Sequence, residues 1–150
     1  MAKAKTTKAA KAAKPQPISP QAALIYTMVL VSAADRDMTD RELRMIADVV
    51  RMLPIFEGFD EERVPKVAAE CAELLNQEDG LDIVLGVIKG GLPSKLYETA
   101  YALALEVAAA DRSAKQEALR LLEMIRHRLD IERLVAAAIE RGAGARYRRL

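Results

Sequence analysis

Between Ala22 and Ala34 the chain is apolar at nearly every position, broken by Thr27 and Ser32. The same happens between Leu96 and Ala110, with Glu98 and Glu106 as the charged exceptions. A helix apolar on every face has to be buried on every face, so these two stretches are predicted to form a central pair wrapped by other helices. Their neighbours are two-sided. Leu43, Ile46, Val50 and Leu53 recur at helical spacing, with Arg44, Asp48 and Arg51 on the opposite face. Leu119, Leu122, Ile125 and Leu129 make a matching stripe further along. No segment alternates with period two, so no strands are predicted.

Turn and cap residues divide the rest. Ser19-Pro20 reads as a cap with a first-turn proline, opening a helix to about Ala34. Thr39 followed by Glu42 reads as a capping box, and the helix it starts stops before Pro54. Asp60 is placed to cap a third helix to about Gln77, with Pro65 near its start. Asp79 would cap a fourth, from Gly80 to Lys89, closed by Gly90-Gly91. Pro93 opens a fifth, to Ala110. Ser113 and Gln116 make a second capping box for a sixth, to about Arg128. Asp130 would cap a seventh, ending at Gly142. The expectation is an all-α, bundle-like domain of about seven helices.

Shifting the chain by 76 residues lays Val31-Ser32-Ala33-Ala34-Asp35-Arg36 on Val107-Ala108-Ala109-Ala110-Asp111-Arg112. Leu43-Arg44-Met45-Ile46 falls on Leu119-Arg120-Leu121-Leu122. Each half reads as a buried helix, an Asp-Arg corner, a capping box and an amphipathic helix. Two copies at this period are not a solenoid, so the pattern predicts a duplicated helical unit folded as one domain.

Charge is unevenly placed. The formal net charge of the 150 residues is +1, yet residues 1–20 carry five lysines and no acid. Residues 141–150 carry four arginines and no acid, which leaves the body between them at −8. Lysine and alanine dominate residues 1–17, with no large apolar run before Ile18 to offset backbone ordering, and residues 1–18 read as a disordered basic tail. Residues 19–142 are the helical domain and 143–150 a basic C-terminal tail. The basic ends make nucleic acid or anionic lipid candidate partners. No secretory signal is expected, and the longest apolar run is too short to span a bilayer. One cysteine excludes an internal disulfide and fits a reducing compartment; one cysteine with one histidine cannot build a zinc tetrad.

Catalytic signatures are missing as well. Gly86-Val87-Ile88-Lys89-Gly90-Gly91 lacks the spacing of a phosphate loop. His127 reads as a surface residue one turn from Glu123, and Cys71 as a small buried hydrophobe. Tyr97 and Tyr101 are one turn apart and read as core or core edge. Phe56 and Phe59 read as a lid over the core or an anchor for a partner.

The acidic corners are the remaining candidate chemistry. Asp35 and Asp111 end apolar helices, where the helix dipole disfavours a carboxylate. A turn can compensate, and so can a hard cation, since carboxylates suit calcium or magnesium. Asp37, Asp40 and Glu42 crowd the first corner, without the spacing of an EF-hand; the second adds only Glu117.

Ala23-Leu24-Ile25-Tyr26, the run from Ala33 to Leu43, Glu98-Thr99-Ala100-Tyr101-Ala102-Leu103-Ala104 and Ala109-Ala110-Asp111 together resemble the tellurite-resistance TerB-like family, over about residues 20–142. The resemblance implies a non-enzymatic, all-helical cytoplasmic domain tied to tellurite and chemical-stress resistance. It also implies a protein partner, in some members membrane-associated, and a metal ion at the acidic corners. Carried over residue by residue, the ligands would be Asp35, Asp37, Asp40 and Glu42 in the first half and Asp111 and Glu117 in the second. The sequence departs from the family at Arg36 and Arg112, which stand where the family pattern has glycine.

Overall fold

A computed structural model describes residues 15–33, 38–111 and 116–150. These form seven α-helices and three short 3-10 turns, with no strand among the described residues. The helices are α1 (Pro20–Ser32), α2 (Asp40–Met52), α3 (Val64–Leu75), α4 (Gly80–Gly91), α5 (Tyr97–Ala110), α6 (Gln116–Arg128) and α7 (Arg133–Arg146). None of them is long and apolar enough to cross a membrane.

The all-apolar helix is the axis of the fold. Every residue of α1 from Ala22 to Ser32 is buried, and α2 to α6 all pack against it. The second apolar helix, α5, lies along α1 and carries α7 on its other side. Thr27, buried within α1, donates its hydroxyl to the Ala23 carbonyl at 2.8 Å, so its burial strands no polar group. The duplication read from the sequence is present: α2 and α6 occupy ranges 76 residues apart. In each half the apolar helix packs on the two helices that follow its corner (α1 with α2 and α3, α5 with α6 and α7), while α4 touches α1, α3 and α6.

Several boundaries fall where local chemistry puts them. Ser19 Oγ accepts from Ala22 N at 3.1 Å, and Pro20 sits in the first turn of α1. Thr39 closes its capping box in both directions. The second box, at Ser113, lies outside the described residues, as do residues 1–14 of the tail; residues 15–18 are irregular, and Ile18 packs against the core.

Other ends differ from expectation. Asp60 caps a 3-10 turn, Glu61–Arg63, instead of a long helix; α3 begins at Val64 with Pro65 in its first turn, where the missing N–H costs nothing. Pro93 likewise precedes a 3-10 turn, Ser94–Leu96, and α5 starts at Tyr97.

Asp79 makes no side-chain cap and adopts a left-handed conformation, φ 58°. Asp130 is also left-handed, φ 52°, and terminates α6 instead of capping α7. Ile131 N donates to Arg126 O at 3.0 Å and Asp130 N to His127 O at 3.2 Å, the paired bonds of a Schellman end. The Asp130 carboxylate meets Lys89 Nζ at 2.9 Å.

Gly90 and Gly91 lie inside α4 rather than closing it. Helix α7 passes Gly142 and runs to Arg146. It is held there because Arg146 donates twice to the Glu106 carboxylate at 2.8 Å, and Tyr147 adds a third bond at 2.7 Å. Leu119 does not join the inward stripe: it is 63% exposed, and α6 buries Leu121, Leu122 and Ile125 instead.

Candidate functional site

Because α1 and α5 lie together and each ends in a corner, the duplication brings the flanks of both corners to one place. A cleft of about 640 Å³ opens there. One wall is the N-cap of α2 and the helix as far as Asp48, with Thr39, Arg41, Glu42, Arg44, Met45 and Asp48. Val31 and Ser32 from the end of α1 meet Val107, Ala108, Ala110 and Asp111 from the end of α5, and Ala118 of α6 completes the lining. The volume is in the range of clefts that take a small molecule or a short stretch of peptide.

The six candidate ligands are distributed unevenly around it. Glu42 and Asp111 line the cleft. Asp40 and Glu117 are exposed, in the first turns of α2 and α6, and do not line it. Asp35 and Asp37 lie outside the described residues. Among the described residues no three His, Cys, Asp or Glu side chains form a group able to hold a metal ion.

Glu42 already has local work. Its Oε2 accepts from Thr39 N at 2.7 Å and from the Thr39 hydroxyl at 3.0 Å. Asp48 accepts from Arg51 at 3.1 Å, and Arg51 also reaches Glu61 at 2.8 Å. Arg41 and Arg44, both exposed, make no ion pair with any described residue. They lie three residues apart, on one side of α2. Sequence spacing marks Arg44 as outward-facing and gives no role to Arg41. The repeat carries the signal for them, since the ends of α1 and α5 line the same cleft.

The potential nucleophiles and bases lie elsewhere. Cys71 is fully buried, its Sγ 4.0 Å from the Tyr26 carbonyl, and burial pushes its thiol up to about 12. A thiolate is therefore inaccessible near neutral pH. His127 is on the surface, as expected, with Glu123 at 3.7 Å. Tyr101 is buried and donates to Glu140 at 2.6 Å; burial first, then that carboxylate, raises its hydroxyl. Phe56 is buried and meets Phe59 edge-on at 6.1 Å, with the Arg63 guanidinium 4.9 Å from the Phe59 ring. The pair forms a lid over the core. No family model, no curated protein and no solved structure matches this chain.

The buried thiol and phenols predict an alkaline limit to stability. Burial raises Cys71 from about 9 to about 12 and, as the leading cause, Tyr26 from about 10 to about 12. The folded state therefore keeps protons that the unfolded chain releases. The stabilisation is complete below pH 9 and is lost as pH rises toward 12. Urea midpoints should hold below pH 9 and then fall, and Cys71→Ala should make that fall shallower. A midpoint that stays level to pH 12 would contradict the burial of these groups.

Proposed function

We propose that this chain is a non-catalytic, TerB-like helical module of the cytoplasm, serving a tellurite or chemical-stress response by docking a protein partner in the cleft between its two corners. The observation that carries this reading is the cleft itself: the duplicated halves converge there, with an apolar floor and charged walls. A non-catalytic role is supported by the chemistry of the side chains most suited to catalysis. Cys71 is buried and protonated, and His127 stands on the surface away from the cleft. The competing reading, contact of the basic ends with nucleic acid or anionic lipid, loses Arg146, whose guanidinium is held by Glu106.

Ala118→Trp tests the docking. Ala118 lines the cleft and is half-buried, so an indole there fills the space without removing a core side chain. A partner captured by the wild-type chain and identified by mass spectrometry should be lost on Ala118→Trp. Capture that survives with undiminished affinity sinks the reading.

A divalent ion is the second component of the proposal. Calcium or magnesium at the first corner would join Asp35 and Asp37 to Asp40 and Glu42. At a hundredfold excess over the dissociation constant the ion would add about 2.7 kcal/mol of stability. Asp37→Asn would remove that gain. Melting curves indifferent to both ions would take the metal out of the reading and leave the docking in place.

A further inference from the structure

We propose that the partner segment seated in this cleft is an acidic amphipathic helix, and that Arg41 and Arg44 read its carboxylates. This rests on the docking reading above and names the chemistry of the occupant. The floor is built from Val31, Met45, Val107 and Ala108, which suits the apolar stripe of a helix. The small side chains of Ala108, Ala110 and Ala118 leave room for close approach, and Met45 adapts its shape to what it meets.

The charges decide the sign of the ligand. The three carboxylates of the cleft are each engaged inside the chain: Glu42 with the Thr39 amide and hydroxyl, Asp48 with Arg51, and Asp111 in a contact of its own. Arg41 and Arg44 have no ionic partner among the described residues. The wall therefore offers a visitor cations, although its formal charges nearly balance. Two guanidiniums at i and i+3 lie roughly 5–6 Å apart at their Cβ atoms, matching two carboxylates one turn apart on a facing helix. Each guanidinium can hold a carboxylate through two parallel hydrogen bonds, which a lysine could not do.

The probe is a designed helical peptide with leucines along one stripe and glutamates beside it. Its control is the same peptide with lysines for glutamates. Fluorescence anisotropy with the full chain should show the glutamate peptide binding at least about tenfold more tightly, with the difference shrinking as salt rises. Arg41→Glu combined with Arg44→Glu should reverse the preference. That double variant should keep its circular dichroism and urea midpoint, since neither guanidinium holds an ion pair with a described residue.

Equal binding of the two peptides, or an unchanged preference in the double variant, overturns the proposal. So does binding to phosphatidylserine vesicles that depends on both arginines while the glutamate peptide stays unbound; the ligand would then be a lipid headgroup. Ala118→Trp separates the two levels of the reading. A native partner lost on Ala118→Trp but retained by the double variant leaves the docking site standing and removes the acidic helix. A partner retained on Ala118→Trp removes the docking site itself.

Discussion

Gly80→Ala should destabilise the protein by about 3 kcal/mol or more, because the new methyl would be driven into backbone. A Cβ at this position would meet the carbonyl oxygens of Leu74 and Leu75 well inside the 3.0 Å below which real Cβ contacts essentially do not occur. Neither oxygen can rotate away, since both belong to the end of α3. The turn has little slack. Gly80 N donates to Gln77 O at 2.9 Å, Asp79 is already left-handed, and Ile83 N donates back to Asp79 O at 3.0 Å. Relief would have to come from moving α4, which buries Val84, Leu85 and Ile88 against the core. Gly90→Ala is the contrast, because a Cβ there meets nothing within 4 Å. Gly90 lies inside a helix, so that change should stabilise by roughly 0.5–1 kcal/mol. Thermal melts read the pair directly: 3 kcal/mol is a drop of about 6 °C or more in a domain of this size. Equal melting temperatures for the two variants would show that the α3–α4 turn yields freely.

The opposite fates of these glycines mark what could be read in the chain. Element type was legible, because burial on all faces or on one face writes itself into hydrophobic spacing. That is why α1 and α5 emerged as the central pair and α2 as amphipathic. The repeat was legible through matching corners, and it reappears as α2 and α6 set 76 residues apart. Ends were less legible, because one residue type serves several geometries. Aspartate suits an N-cap and also tolerates the left-handed region, and Asp79 and Asp130 took the second role. Proline suits a first helical turn and also a 3-10 turn, which is how Pro93 came to precede Ser94–Leu96. The reach of α7 to Arg146 depends on Glu106, 40 residues away, and nothing local to the last turn announces it. The cleft was legible only in part. The acids point to the corners, but Glu42 serves the cap of its own helix; Arg44 reads from its spacing as outward-facing, and nothing in the sequence marks Arg41 as lining the cleft.

Leu119 carries the same lesson into a measurement. Its spacing to Leu122, Ile125 and Leu129 places it on the core stripe, and the repeat pairs it with Leu43, which is half-buried. Yet Leu119 is in the first turn of α6 and is 63% exposed. Leu119→Ala should therefore cost under about 0.5 kcal/mol, as for a surface position. Leu24→Ala should cost about 2–5 kcal/mol. Leu24 is 0% exposed in the middle of α1, and α1 has neighbours on all sides. Truncation there leaves a void that no single neighbour can fill, because the surrounding helices are also packed on one another. Urea unfolding of both variants decides the matter. A large loss at Leu119 would mean that the stripe read from the sequence is the packed one. A small loss at Leu24 would remove α1 from the centre of the fold.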